Sequence, residues 1–226
     1  MNAILEKIYE NSPNIIQNIM VTLFDVLMYS KRRRGKYKDW LRYHRRFWNA
    51  GREELLQEQN RRLNELLEYA SQYSDFYKVR LKDIEKGEID QDSLVKLPYL
   101  TKSKLKDNVK KIRTIKPSKS YIAHTGGTTG ISTTTYFTWD GIQERQAILD
   151  LFRAQYGYQL GKKIAWFSGK TLLSKTDIKK KRFWKTDYFY NIRYYSTFHT
   201  SDEYLAHYIE NINTYKPEFL SGFPST

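Results

Sequence analysis

The 226-residue sequence has no cysteine, only four histidines and only five prolines. Without cysteine there is no disulfide framework and no thiolate metal site, and nothing points to an oxidising compartment. His44, His124, His199 and His207 fall at no metal-ligand spacing, so surface polar roles are expected and no metal ligand is assigned. No secretory leader is expected either: Met1-Asn2-Ala3-Ile4 is followed by Glu6 and Glu10, not by a basic stretch and an apolar core. The longest apolar stretch, Ile15 to Met28, is interrupted by Gln17, Asn18, Thr22 and Asp25. It falls short of the roughly 20 apolar residues a spanning helix needs. A cytoplasmic protein is the expectation. Acidic residues are also few, 25 against 39 Lys/Arg, giving a net charge of +14.

What is abundant is aromatic: 19 tyrosines, 11 phenylalanines and five tryptophans. Intrinsically disordered chains have few aromatics, so one or two folded domains are expected. The basic charge is clustered. Residues 31–46 hold nine Lys/Arg against Asp39, a net of +8; residues 102–119 hold eight against Asp107, a net of +7; residues 162–185 hold nine against Asp177, a net of +8. Such clusters attract nucleic acid, anionic lipid or anionic substrates, or they are simply a solvated surface.

Along the chain, Ser12-Pro13 reads as a helix start. Apolar residues then recur at Ile15, Ile16, Ile19, Met20, Leu23, Phe24 and Leu27, one wide helical stripe ending in Lys31-Arg32-Arg33-Arg34 and Gly35. That stripe packs on the protein's own core or lies on an anionic membrane. A second helix is expected over 52–73, and a short basic one over 102–110 with Thr101 as its cap. Beyond about residue 120 the order reads strand, loop, strand, helix, strand, strand, helix, strand. Asp140/Gln143 and Thr200/Glu203 are read as capping boxes at the two helix starts. This alternation predicts an α/β fold: a helical N-terminal region over 1–100, then a mixed sheet with helices over 101–226.

The most informative segment is His124-Thr125-Gly126-Gly127-Thr128-Thr129-Gly130. Glycines let backbone N–H groups approach a ligand, and threonine hydroxyls add uncharged donors. The segment lacks the lysine of a Walker A loop and the G-x-G of a dinucleotide fingerprint. What remains is a hydroxyl-rich glycine loop between two strands, either a phosphate cradle or a hairpin turn built on Gly126-Gly127.

Thr125-Gly126-Gly127-Thr128-Thr129-Gly130 resembles the [S/T]-S-G-[S/T]-T-G loop of adenylate-forming enzymes, in particular the phenylacetate–CoA ligase-like branch that includes CapK-type capsular polysaccharide biosynthesis proteins. Further similarity lies in Tyr43 to Trp48, Gln59 with the Leu63–Ala70 helix, Leu97-Pro98-Tyr99-Leu100-Thr101-Lys102, Tyr195-Ser196-Thr197-Phe198-His199, and Lys216-Pro217 through Ser221-Gly222-Phe223-Pro224-Ser225. The resemblance implies an enzyme that uses ATP to convert a carboxylate into an acyl-adenylate. Thr125, Gly126, Gly127, Thr128, Thr129 and Gly130 would hold the ATP phosphates, and Mg²⁺ would accompany the nucleotide. Two departures stand out: Gly126 replaces the usual serine, and Ser132-Thr133 stand where many relatives have Pro and Lys.

In that family the adenine, ribose and Mg²⁺ motifs and the catalytic lysine follow the G-[Y/F]-P-S segment. The resemblance therefore covers the N-terminal half of such an enzyme, and no catalytic residue is assigned here. The expectation is a chain inactive in adenylation by itself, with an unknown carboxylate, ATP and a second polypeptide as partners. A nucleic-acid binder, resting on basic residues interleaved with aromatics in Lys36–Trp48 and Lys179–Tyr195, is the weaker alternative, because no helix-turn-helix, zinc-finger or RRM signature is present. A membrane-peripheral protein using residues 15–46 is the other.

Overall fold

The structure is a computed structural model and describes residues 3–82, 94–95, 97–124 and 134–223. Contacts divide the chain into two units, one formed by Met1–Arg34 with Leu149–Thr226 and the other by Gly35–Ile148. The mixture of helix and sheet is that of an α/β protein, with a helical N-terminal region.

The unit of residues 35–148 holds α3 (Tyr37–Phe47), α4 (Arg52–Tyr73), α5 (Asp75–Arg80), α6 (Lys102–Ile112), the hairpin β1 (Tyr121–His124) and β2 (Thr134–Phe137), and the start of α7 (Trp139–Gln155). Polar ties are prominent in its packing. The Glu144 carboxylate accepts from His44 Nε2 at 3.0 Å and from Arg62 at 2.7 Å. Trp40 Nε1 donates to Asp140 at 2.6 Å, and the Lys36 N–H donates to Gln143 Oε1 at 3.1 Å. Asp140 and Gln143 therefore do not form the expected capping box: the Thr138 hydroxyl accepts from the Gly141 N–H at 3.0 Å, while Asp140 and Gln143 hold the α3 region. His44 is correspondingly half-buried rather than a surface residue.

Gly35 turns the chain ahead of α3 with a φ of 56°, and a Cβ there would lie 2.8 Å from Gln143 Oε1. Both the left-handed backbone and the close approach favour glycine. Gly35→Ala is expected to cost about 1–2 kcal/mol, read as a lowered denaturation midpoint in urea.

The other unit holds α1 (Ala3–Asn11), α2 (Asn14–Arg32), β3 (Ile164–Ser168), α8 (Lys175–Lys179), β4 (Trp184–Asp187), β5 (Ile192–Ser196), α9 (Asp202–Tyr215) and β6 (Phe219–Ser221). The sheet order is β4-β5-β3-β6; β3 runs parallel to β5 and β6, and β4 is antiparallel to β5. Side chains alternate across the sheet. Ile164, Ile192 and Tyr194 pack with Tyr9, Val21 and Tyr29 from α1 and α2. Ala165 and Tyr195 face the other way and pack with Phe183 and Tyr208, the latter from α9. The unit is thus three layers: helices α1 and α2, the sheet, and α9.

Two expected helix starts shift. Ser12 closes α1 by donating to the Ile8 carbonyl at 2.7 Å, and α2 follows Pro13 with no side-chain cap. Helix α9 begins after Ser201, and Thr200 donates instead to the Thr197 carbonyl at 3.2 Å.

Helix α2 is oriented against its own amphipathicity. Its buried residues are Gln17, Asn18, Val21, Asp25 and Tyr29, whereas Ile15, Leu23 and Leu27 are 60% or more exposed. The expectation of an apolar stripe packed on the core is therefore corrected. The reason lies in the sheet. β4 and β5 present Lys185, Asp187 and Tyr194 towards α2, and buried polar atoms demand partners. Lys185 Nζ donates to Asn14 Oδ1 at 2.9 Å and to Gln17 Oε1. The Thr186 N–H donates to Asn18 Oδ1 at 3.1 Å, and the Tyr194 hydroxyl donates to Asp25 Oδ2 at 2.7 Å. Only the polar stripe of α2 can satisfy this surface.

Candidate functional site

Thr125, Gly126, Gly127, Thr128, Thr129 and Gly130 lie outside the described residues. The residues on either side of them are described, and they pair. β1 and β2 are antiparallel, with Tyr121 opposite Phe137, Ala123 opposite Thr135 and His124 opposite Thr134. His124 Nδ1 and Thr134 Oγ1 are 3.3 Å apart, and the Thr135 hydroxyl donates to the Ala123 carbonyl at 3.2 Å. The Arg113 guanidinium lies 5.2 Å from the centre of the Tyr136 ring, which places one cation against the hairpin.

A second feature, in the other unit, is the carboxyl edge of the parallel strands. In open α/β sheets ligands bind beyond the carboxyl ends of strands whose connections leave in opposite directions. The connection from β3 leads to β4 on the far side of β5, and the connection from β5 leads through α9 to β6 on the far side of β3. The two connections pass each other rather than part, so strand order alone opens no crevice; β3 and β5 end in Ser168 and Ser196, which are register partners, and β6 ends in Ser221.

Around this edge the local structure is built from short polar contacts. Ser168 Oγ accepts from the Lys170 N–H at 3.3 Å. Ser196 Oγ accepts from the Phe198 N–H at 3.3 Å and lies 3.1 Å from His199 Nδ1, while the Tyr208 hydroxyl donates to the Ser196 carbonyl at 2.7 Å. His199 also stacks on Phe183 at 5.6 Å. Gly222 lets the end of β6 approach β3 closely: a Cβ there would sit 3.0 Å from Phe167 Cβ. The serine hydroxyls suit a small polar ligand, while Lys170 Nζ lies over the Tyr194 ring, 5.3 Å from its centre.

Beneath the edge runs the buried polar seam between α2 and the sheet. Asp177, wholly buried, accepts from Lys185 Nζ at 2.7 Å, from Arg182 at 2.6 Å, and from the Ser174 N–H and hydroxyl at 2.8 and 2.7 Å. Burial raises its pKa, but these donors outweigh burial and hold the carboxyl below the usual range. Asp187 behaves in the opposite way. Burial pushes its pKa up to about 6; the Tyr190 and Phe189 N–H groups oppose the rise, and the neighbouring Asp25 carboxylate adds to it. No protein donor reaches Asp187 Oδ2 among the described residues. Burial likewise raises Asp25, against its hydrogen bond from Tyr194 and the charges of Lys170 and Arg32.

Sequence reasoning missed this seam because Lys185 and Asp177 sit in what reads as a solvated basic run. One signal was present: Ser174 and Asp177 have capping-box spacing, and the structure forms that box. Among the described residues no cluster of three or more His, Asp or Glu side chains is placed to hold a metal ion. No described helix is long and apolar enough to cross a membrane.

No family model matches the chain. Among curated proteins there is a similarity that runs almost its whole length. The chain is similar to Protein CapK of Staphylococcus aureus. The two are 30% identical over 221 residues, which is 97% of this chain and 48% of CapK. The chain therefore spans about half the length of CapK, and the β1–β2 hairpin falls within the aligned length.

Proposed function

We propose that this chain is the N-terminal portion of an ATP-dependent, carboxylate-activating ligase-like protein that acts in capsular or surface polysaccharide biosynthesis. The observation that carries the reading is the similarity to CapK across 97% of the chain, in order. It is supported by the antiparallel register of β1 and β2 on either side of residues 125–133, and by the donor chemistry of that segment. Three glycines and three threonines between Thr125 and Gly130 offer backbone amides and hydroxyls, the uncharged donors that suit a phosphate chain which must later be released.

In this reading Thr125 to Gly130 hold the ATP β- and γ-phosphates. ATP, when bound, supplies the adenylyl group that activates a carboxylate. The residues of this chain bind and orient; the exchange reaction needs groups beyond the 226 residues.

Two measurements test this. ATP binding to the purified 226-residue chain should weaken at least about tenfold in Thr128→Val with Thr129→Val, since each lost charge-assisted hydrogen bond contributes about 1.5–3 kcal/mol. ATP–pyrophosphate exchange by the chain alone should be absent across a panel of carboxylates. Undetectable ATP binding would remove the phosphate-loop role, and robust exchange from the chain alone would refute the need for further residues.

A further inference from the structure

The stripe that α2 turns away from the sheet is the largest feature left unexplained. Ile15, Ile16, Ile19, Leu23, Phe24 and Leu27 are all exposed, and Ile4, Leu5 and Ile8 of α1 are exposed beside them in sequence. From Ile15 to Leu27 the stripe is about 18 Å long at 1.5 Å per residue. Monomeric proteins rarely leave such continuous apolar surface uncovered, so a stripe of this kind marks an interaction surface.

Charge identifies the occupant. The one acidic residue of α2, Asp25, is buried in the polar seam, so the exposed face carries no negative charge. At its C-terminal end the chain continues as Lys31-Arg32-Arg33-Arg34, with Lys31 and Arg34 exposed. Other exposed apolar residues lack this setting: Leu55, Leu56 and Leu66 of α4 stand among Glu53, Glu54, Glu65 and Glu68, and Leu205 and Ile209 of α9 among Asp202, Glu203 and Glu210. A charge-free apolar face that ends in exposed cations complements the surface of an anionic bilayer, where side chains enter the acyl boundary and cations meet the headgroups.

We propose that the outward face of α2, with the basic run, seats this protein on anionic lipid. The helix lies in the plane of the interface; its inward polar face stays hydrogen-bonded to β4 and β5. The inference rests on α2 and the basic run alone and is independent of the nucleotide reading.

Vesicle flotation tests it, using the full 226-residue chain with phosphatidylcholine vesicles that contain or lack phosphatidylglycerol. The chain should float with the anionic vesicles and remain largely unbound with the neutral ones. Ile19→Ser with Leu23→Ser and Leu27→Ser, all at exposed positions, should lower binding at least about tenfold without lowering the thermal midpoint. Lys31→Glu with Arg34→Glu should also weaken binding to the anionic vesicles. Leu205→Ser with Ile209→Ser should leave flotation unchanged. In Leu23→Trp, emission should shift to the blue on vesicle addition and be quenched by brominated acyl chains. Absence of flotation with anionic vesicles would overturn the proposal. So would equal losses from the α2 and α9 variants, or a dimer by light scattering that the α2 triple variant dissolves while vesicle binding persists.

Discussion

Asp177→Ala is expected to destabilise the unit of residues 1–34 and 149–226 by about 3–5 kcal/mol, because removing one partner strands the other charge in the interior. Asp177 and Lys185 are both 0% exposed, and Lys185 would retain only the oxygens of Asn14 and Gln17. The loss should be larger than for Lys185→Met, since Asp177 would then still be balanced by Arg182 and held by Ser174. On the Lys185→Met background, Asp177→Ala should cost much less, giving a coupling of about 2 kcal/mol. Urea unfolding followed through Trp184, which adjoins Lys185 on β4, measures all four corners of the cycle. Additivity within about 0.5 kcal/mol would refute the assignment of this pair as one buried unit.

Asp187→Asn should have the opposite sign. Asp187 has a folded pKa near 6 against an ordinary value of 3.8, so the folded state holds its proton more tightly than the unfolded state. Below the ordinary value the group is protonated in both states and carries no penalty. As pH rises from about 3.8 through about 6, stability is lost, and above that the full cost is present. The groups that face Asp187 and Asp25 include Tyr194, Tyr29, Tyr190, Lys170 and Arg32, and the cations only partly offset the two carboxylates. An asparagine keeps Oδ1 as acceptor for the Phe189 and Tyr190 N–H groups and offers Asp25 a donor. The variant should be more stable than wild type by up to about 3 kcal/mol at pH 7.5, at 1.36 kcal/mol per unit. The advantage should vanish near pH 4. A difference that does not vary with pH would show that packing, not titration, is responsible.

Local signals in the sequence locate several elements closely. The helix expected over 52–73 spans Arg52–Tyr73, and the basic helix begins at Lys102 with Thr101 as its cap, accepting from the Lys104 N–H. These elements obey rules that act within one or two turns. The orientation of α2 was not legible, because periodicity defines two faces of a helix but not which one meets the core. That choice was made about 170 residues away, where β4 places Lys185 and Asp187 on one face of the sheet. β4 itself escapes a search for apolar alternation because its inward residues are charged. For the candidate site, the sequence identifies donors in Thr125–Gly130, and the structure describes only the paired strands that flank them. The pairing of Ser168 with Ser196 at the carboxyl edge depends on strand order, which no local pattern encodes.

The partners of α2 also impose an order on assembly. Asn18 and Thr186 are separated by 168 positions. At about 5–20 residues per second, a ribosome needs roughly ten to thirty seconds to travel that far. During that interval residues 35–148 emerge and can organise, while Gln17, Asn18 and Asp25 remain satisfied by water. The docking of α2 thus awaits β4, and the whole of residues 35–148 lies between the two in sequence.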